Sequence, residues 1–150
     1  MTDEEFAPWR EHSLHAYAAE RAAAHGRSYE DVLPEAKRQI ETILPEGRTT
    51  KGHHFLRVLE DGQPVGWLWI GPHPDKQDAA WVYDIEIEED ARGRGIGRRA
   101  MLAAEKLAAA EGATELGLNV FGPNLRAIAL YQSLGYGTVA MRMSKRLASE

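Results

Sequence analysis

Between Ile85 and Arg99 the chain reads Ile-Glu-Ile-Glu-Glu-Asp-Ala-Arg-Gly-Arg-Gly-Ile-Gly-Arg-Arg. Gly93, Gly95 and Gly97 alternate with Arg94 and Ile96, and Arg92, Arg98 and Arg99 flank them. Three alternating glycines remove side chains where a backbone can then approach a ligand closely. They lead into an apolar-periodic run that predicts a helix, whose first N–H groups are unpaired and whose dipole end is positive. Together these features make an anion cradle suited to a pyrophosphate. Arg98 and Arg99 fall in the first helical turn, where the dipole disfavours each cation by a few tenths of a kcal/mol. Such a broken local rule points to a compensating anion. The plainer alternative is that the four arginines only balance Glu88, Glu89 and Asp90 in a solvated turn.

Two phosphate-binding patterns can be weighed on this segment. A Walker A loop is excluded, because no Gly-Lys-Ser/Thr follows. Gly95-Ile96-Gly97-Arg98-Arg99-Ala100 does match the dinucleotide form Gly-x-Gly-x-x-Ala. That form needs a βαβαβ half-domain, whereas here two helices and a hairpin precede the turn. A nicotinamide-dependent oxidoreductase therefore ranks low.

The elements that must position this turn are legible in the pattern. Thr2 and Glu5 have capping-box spacing, and Phe6, Trp9, Ser13, Tyr17 and Ala24 fall near one face of a first helix ended by Gly26. Ser28 can cap a second helix carrying Val32, Leu33, Ala36, Ile40 and Ile43, although Pro34 suggests a start nearer to itself. Strands are predicted over 54–60, 64–70 and 79–88, the first two joined by an Asp61-Gly62 turn. In the second strand Val65, Trp67 and Trp69 share one face and Leu68 and Ile70 the other, as in a central strand. After the glycine turn come a helix to about Ala110, a strand over 116–120, a helix from Pro123 to Leu134, and a last strand over 138–147. The order predicts an α/β three-layer arrangement around a mixed sheet.

Composition narrows the function classes. The chain has 150 residues, 43% of them hydrophobic and 27% charged, which suits a single soluble domain over 1–150. No cysteine is present, so disulfides, thiolate metal sites and a cysteine nucleophile are excluded. No metal site is expected. His53 and His54 are adjacent in a strand, point to opposite faces and read as structural or surface residues. A net charge of −5 argues against a nucleic-acid partner. No stretch reaches the ~20 apolar residues of a membrane span. The acidic opening Met1-Thr2-Asp3-Glu4-Glu5 has no apolar run behind it, so no signal peptide and a cytoplasmic location are the expectation.

Arg92-x-x-Gly95-x-Gly97 resembles the acyl-CoA signature Arg/Gln-x-x-Gly-x-Gly/Ala of the GNAT superfamily of N-acyltransferases. Asn124-x-x-Ala127-x-x-Leu130-Tyr131-x-x-Leu134-Gly135-Tyr136 resembles that family's second signature, at the expected separation. The close resemblance runs from about Val82 to Tyr136. It implies a mostly antiparallel central sheet flanked by helices on both faces. It also implies acetyl-CoA as cosubstrate and transfer of its acetyl group to a primary amine of a small molecule or peptide. Family members commonly open with a strand, whereas this chain starts almost directly in a helix, so that strand is expected to be missing or short.

The resemblance also assigns sites. The pyrophosphate of CoA should meet the backbone from Arg92 through Gly93, Arg94, Gly95, Ile96 and Gly97 to Arg98. The pantetheine arm should enter where the third and fourth strands splay apart, pairing with backbone groups of Ile85 and Ile87. Asn124 and Tyr131, seven apart, stack two turns apart on one helical face, about 10 Å along the axis, and would touch the arm with Ala127 and Asn119. Tyr131 would donate to the departing sulfur, unless it is a core tyrosine bonded to backbone. Asp84 and Glu86 share one strand face. They would bind a cationic amine, and one of them, or a water, would accept its proton. Asn119 would orient a water or the acceptor. A non-catalytic acyl-CoA sensor would carry the same cofactor turn. The acceptor's identity and the oligomeric state, a homodimer included, are left open.

Overall fold

The computed structural model describes residues 1–149. Helix α1 spans Asp3–His25, and its capping box is formed: Thr2 Oγ1 accepts from the Glu5 N–H while Glu5 accepts from the Thr2 N–H. Gly26 closes it in the left-handed conformation. Helix α2 spans Tyr29–Ile43, capped by Ser28. It does not start at Pro34, as the proline suggested. The Ser28 cap holds the first turn ahead of the proline, so Pro34 lies inside the helix.

Strands β1 (His54–Glu60), β2 (Gln63–Pro72) and β3 (Ala79–Ile87) pair antiparallel in order, and β4 (Glu115–Leu118) joins β3 in parallel. Helix α3 spans Ile96–Ala110, and α4 spans Leu125–Ser133, with Asn124 rather than Pro123 at its boundary. The sheet is mixed and mostly antiparallel, as expected. Among the described residues no strand precedes α1, and the Met1 ammonium donates to Phe55 O at 3.1 Å.

Two cores sandwich the sheet. On one face Phe55 and Trp69 pack with Phe6, Trp9, Leu14, Ala18, Val32, Ala36 and Ile40 of α1 and α2. On the other, Leu68, Ile70, Ala80 and Val82 pack with Met101, Ala104 and Ala108 of α3, and Tyr131, Leu134 and Tyr136 lean against them. Gly26, Asp61 and Gly62 take positive φ where the turns require it.

The predicted last strand is not formed. Residues 138–147 belong to no element, and Val139, Met141, Met143 and Leu147 are exposed. A strand exists only when a neighbouring edge accepts its hydrogen bonds, and among the described residues none does so.

Candidate active site

One irregularity in β3 builds most of the site. Trp69 pairs with Asp84 but the adjacent Ile70 pairs with Val82, so Tyr83 is an extra residue, a β-bulge. The bulge changes the phase of the strand. Ala80 and Val82 face the α3 core, and after the bulge it is Ile85 that does so. Asp84 and Glu86 are thereby turned toward α1, where their partners Ser13 and His12 lie. With unbroken alternation, even-numbered residues would have continued into the apolar α3 core.

The same bulge marks where the sheet opens. Pairing of β3 with β4 covers Ala79–Val82 against Glu115–Leu118 and stops there. Asp84–Ile87 still pair with β2 on one side but, among the described residues, have no strand on the other. Glu88 N–H donates to Val65 O on the β2 side, so by alternation the backbone groups of Ile85 and Ile87 point into the opening. Ile87 O is already occupied, accepting from Arg92 Nε at 2.9 Å.

At the end of β3 the glycine turn wraps onto α3. Gly93 and Gly95 have φ of +79° and +76°. Helices α1, α2 and α4 are each capped by a side-chain oxygen, whereas α3 starts at Gly95 with no side-chain cap and no acid in its first turn. A Cβ on Gly95 would meet nothing within 4 Å, so the cradle opens outward. Gly97 instead lies against Leu130 and Ile87, at 3.5 and 3.8 Å from an added Cβ, which brings α4 close to the turn. Arg98 donates to Ser133 Oγ at 2.9 Å, and Arg94 pairs with Glu60 at 3.1 Å. The arginines thus have partners other than Glu88, Glu89 and Asp90 side chains. Arg126 of α4 reaches within 3.8 Å of an added Cβ on Gly93.

The carboxylates sit at the other end of the opening. Asp84 Oδ2 accepts from Ser13 Oγ at 2.7 Å and from Trp67 Nε1 at 3.1 Å. The Trp9 indole N–H, buried without a well-formed hydrogen bond, lies near enough to favour the charge on the same carboxyl. Burial outweighs these donors and raises the Asp84 carboxyl above its ordinary range. Glu86 contacts His12 Nε2 at 3.2 Å, and the His12 ring meets Trp67 edge-on at 5.2 Å. Glu20, although exposed at its surface, is raised first by desolvation and then by Asp84 and Glu86.

Tyr131 is half-buried, and its hydroxyl makes no hydrogen bond among the described residues. Desolvation, then Asp84 and Glu20, push its pKa up, so it stays protonated at neutral pH. Asn124 Oδ1 caps α4 by accepting from Ala127 N–H at 3.3 Å, which leaves its amide NH₂ free to donate. Asn119 is exposed just beyond β4. Tyr17 and His25 of α1 pack near Phe121, so α1 spans the opening from the carboxylates to the far side of β4.

His53 accepts from Trp69 Nε1 at 3.0 Å, a structural role. Among the described residues no cluster of potential ligands could hold a metal ion, and no helix is long and apolar enough to cross a membrane. Two surface clefts of about 190 and 420 Å³, one beside Gly71 and one between α1 and α2, include neither the turn nor the carboxylates.

The sequence did not single out His12, Glu20 or Arg126. A signal existed for the first two: Ser13, already placed on the inward face of α1, has His12 beside it and Glu20 two turns on. Nothing local marked Arg126, whose place depends on how α4 packs.

Known proteins share this arrangement. The model of the Acetyltransferase (GNAT) family matches residues 9–136. The "Uncharacterized N-acetyltransferase YdgE" of Bacillus subtilis (strain 168) is 32% identical, over 98% of this chain and 95% of its own length. The crystal structure of the "Putative Acetyltransferase (YycN)" from Bacillus subtilis superposes with a TM-score of 0.90 at 32% identity, covering 99% of this chain and 96% of that one. The fold alone is shared with the aminoglycoside N-acetyltransferase AAC(6')-Iy in complex with CoA, with a TM-score of 0.58 at 16% identity over 75% of this chain and 90% of that one. The chain belongs to the GNAT family of acetyl-CoA-dependent N-acetyltransferases.

Proposed function

We propose that residues 1–150 form one N-acetyltransferase domain that moves the acetyl group of acetyl-CoA directly to a cationic primary amine in a ternary complex. The observation that carries this reading is the free edge of β3 beyond Val82, which runs from the Asp84–Glu86 carboxylates to the uncapped start of α3. A phosphate arm bound at the glycine turn and laid along this edge would bring its thioester beside Tyr131.

In this reading the N–H groups of the turn and of the first α3 residues bind the pyrophosphate, with Arg126 above them. Ile85 offers its C=O to the pantetheine arm, and its N–H holds the oxyanion in this reading. Asp84, Glu86 and Glu20 attract the ammonium form of the acceptor. Glu86, directly or through a water, takes the proton that the amine must lose before its nitrogen attacks the thioester carbon. His12 is the group to which Glu86 can pass it. As the new C–N bond forms and the C–S bond breaks, Tyr131 gives its proton to the leaving sulfur, and the second proton that the acylated nitrogen sheds returns to the tyrosinate through water. The products are the N-acetylated amine and CoA thiol.

Thiol release from acetyl-CoA across a panel of amines tests the reading. Cationic primary amines should turn over faster than neutral or anionic ones of the same size. Thiol release at the solvent rate with every amine would make the domain a binding module rather than an enzyme.

Gly95→Val should weaken CoA binding at least about tenfold, because a side chain would fill the cradle that the backbone must present. The left-handed conformation costs a non-glycine residue roughly 1–2 kcal/mol, less than the 5–15 kcal/mol stability typical of a domain, so the variant should stay folded. Calorimetry with CoA, beside a thermal melt, checks both points. Wild-type affinity in a folded variant would place the cofactor elsewhere.

Glu86→Gln keeps the shape and removes the charge. It should lower kcat or raise the acceptor KM by about tenfold or more, leaving acetyl-CoA affinity nearly intact. Unchanged kinetics on a true acceptor would reduce Glu86 to a surface partner of His12.

A further inference from the structure

The acceptor end of the opening carries more negative charge than one amine can answer. Asp84 and Glu86 lie on β3, and Asp84 accepts from Ser13 of α1. Glu20 faces them from the same helix, two turns on from Ser13 and roughly 10 Å along the axis. Among the described residues the one basic partner of the three is His12, beside Glu86 at 3.2 Å. Arg21, next to Glu20 in sequence, is drawn to α2 instead. It lies 3.6 Å from Glu35 and donates to Gln39 Oε1 at 3.3 Å. Glu20 itself has neither a hydrogen bond nor an ion pair among the described residues. Trp9 adds an independent sign. It is only 5% exposed, its indole N–H makes no well-formed hydrogen bond, and it faces the Asp84 carboxyl. A buried donor left idle there gains a full partner once a bound cation fixes the Asp84 charge.

A lone ammonium would not suit this cluster. The reacting nitrogen must lose a proton before it attacks, and every nearby carboxylate favours the protonated, inert form. Three of them around a monoamine would oppose the step they are meant to assist. A second positive charge on the acceptor removes the conflict. It answers Glu20, makes the first ammonium easier to deprotonate, and stays bound while the first becomes neutral. Tyr17, three residues before Glu20 on α1, is half-buried against Phe121 and gives the spacer between the two nitrogens an apolar wall.

We infer that the acceptor is a dication, an aliphatic diamine or longer polyamine, with its reacting ammonium at Asp84 and Glu86 and its second ammonium at Glu20. The first gives its proton to Glu86 and its nitrogen takes the acetyl group. The second keeps its proton throughout. The product carries one positive charge fewer than the acceptor, which favours its release. The inference rests on the acetyl-transfer reading above.

Thiol release by the full chain at saturating acetyl-CoA should be compared for diaminobutane, butylamine and aminobutanol, which share one spacer. The diamine should have a kcat/KM at least about 100-fold above the other two, the size of one partly screened ion pair. Glu20→Gln should shrink that ratio at least about tenfold, chiefly through the diamine KM. Calorimetry on the CoA complex supplies a readout that needs no chemistry. There the diamine should bind at least about tenfold more tightly than butylamine, and Glu20→Gln should abolish the difference. If no amine releases thiol but this binding preference holds, the transfer reading fails and the two-cation site stands. Equal binding of diamine and monoamine overturns the inference, whatever turns over. So does a diamine preference that Glu20→Gln leaves unchanged. Should the variant fail to fold, the three amines on the natural chain decide.

Discussion

Tyr131→Phe should lower kcat by about 10–1000-fold while changing acetyl-CoA affinity by less than about tenfold. The substitution removes one oxygen. That hydroxyl has no hydrogen bond to the protein among the described residues, so its loss strands no donor and leaves no unsatisfied acceptor. The ring, half-buried beside Tyr136 at 6.0 Å, keeps its packing, and the melting temperature should stay near that of the natural protein. A core tyrosine held by a backbone partner would behave oppositely, losing about 1–3 kcal/mol of stability. The hydroxyl is held protonated by burial and by Asp84 and Glu20, which suits a donor that must keep its proton until charge develops on sulfur. A thiolate leaves tolerably without help, so the effect is bounded, and it falls on the transition state rather than on binding. Melting temperature, CoA affinity and kcat should be measured on one preparation. A kcat within twofold of the natural enzyme would remove Tyr131 from the chemistry.

Asp84→Asn should cost about 100-fold in kcat/KM for a cationic amine and yet leave the protein as stable at neutral pH, or more so. Asparagine keeps an oxygen that can accept from Ser13 and Trp67 but abolishes the buried charge. Loss of a partly desolvated charge pair with the acceptor amounts to a few kcal/mol, and each 1.4 kcal/mol is about tenfold. The stability side follows from linkage. Asp84 has a folded pKa above its unfolded value, chiefly through desolvation. Between those two values the folded protein holds more protons than the unfolded chain, so stability falls as pH rises. Below the unfolded pKa, about 3.9, the penalty is absent, and above the folded pKa it is complete. The advantage of Asp84→Asn should therefore grow from acid toward neutral pH and then level off, which urea unfolding at several pH values can follow. A variant uniformly less stable at every pH would mean that the donors around Asp84 need its charge. The natural residue would then be structural. On the present reading the domain keeps a destabilising carboxylate for binding, a common compromise at functional sites.

The local chemistry of this chain was readable residue by residue. Capping oxygens at Thr2 and Ser28, the Asp61-Gly62 turn and the glycines at 93, 95 and 97 act over a few positions, and their elements formed within a few residues of the pattern. The two motifs placed the cradle and the α4 face in order along the chain. Three decisions lay beyond any local pattern. The bulge at Tyr83 depends on how β2 and β3 align, and it alone turned Asp84 and Glu86 from the α3 core toward α1. The crossing of α1 over the opening brought in His12 and Glu20 from more than 60 positions away, because a helix's partner is set by core packing and not by its own period. Residues 138–147 have the alternation of a strand, but alternation states only which side wants burial. A strand also needs a neighbour's N–H and C=O groups, and among the described residues no strand pairs with this segment.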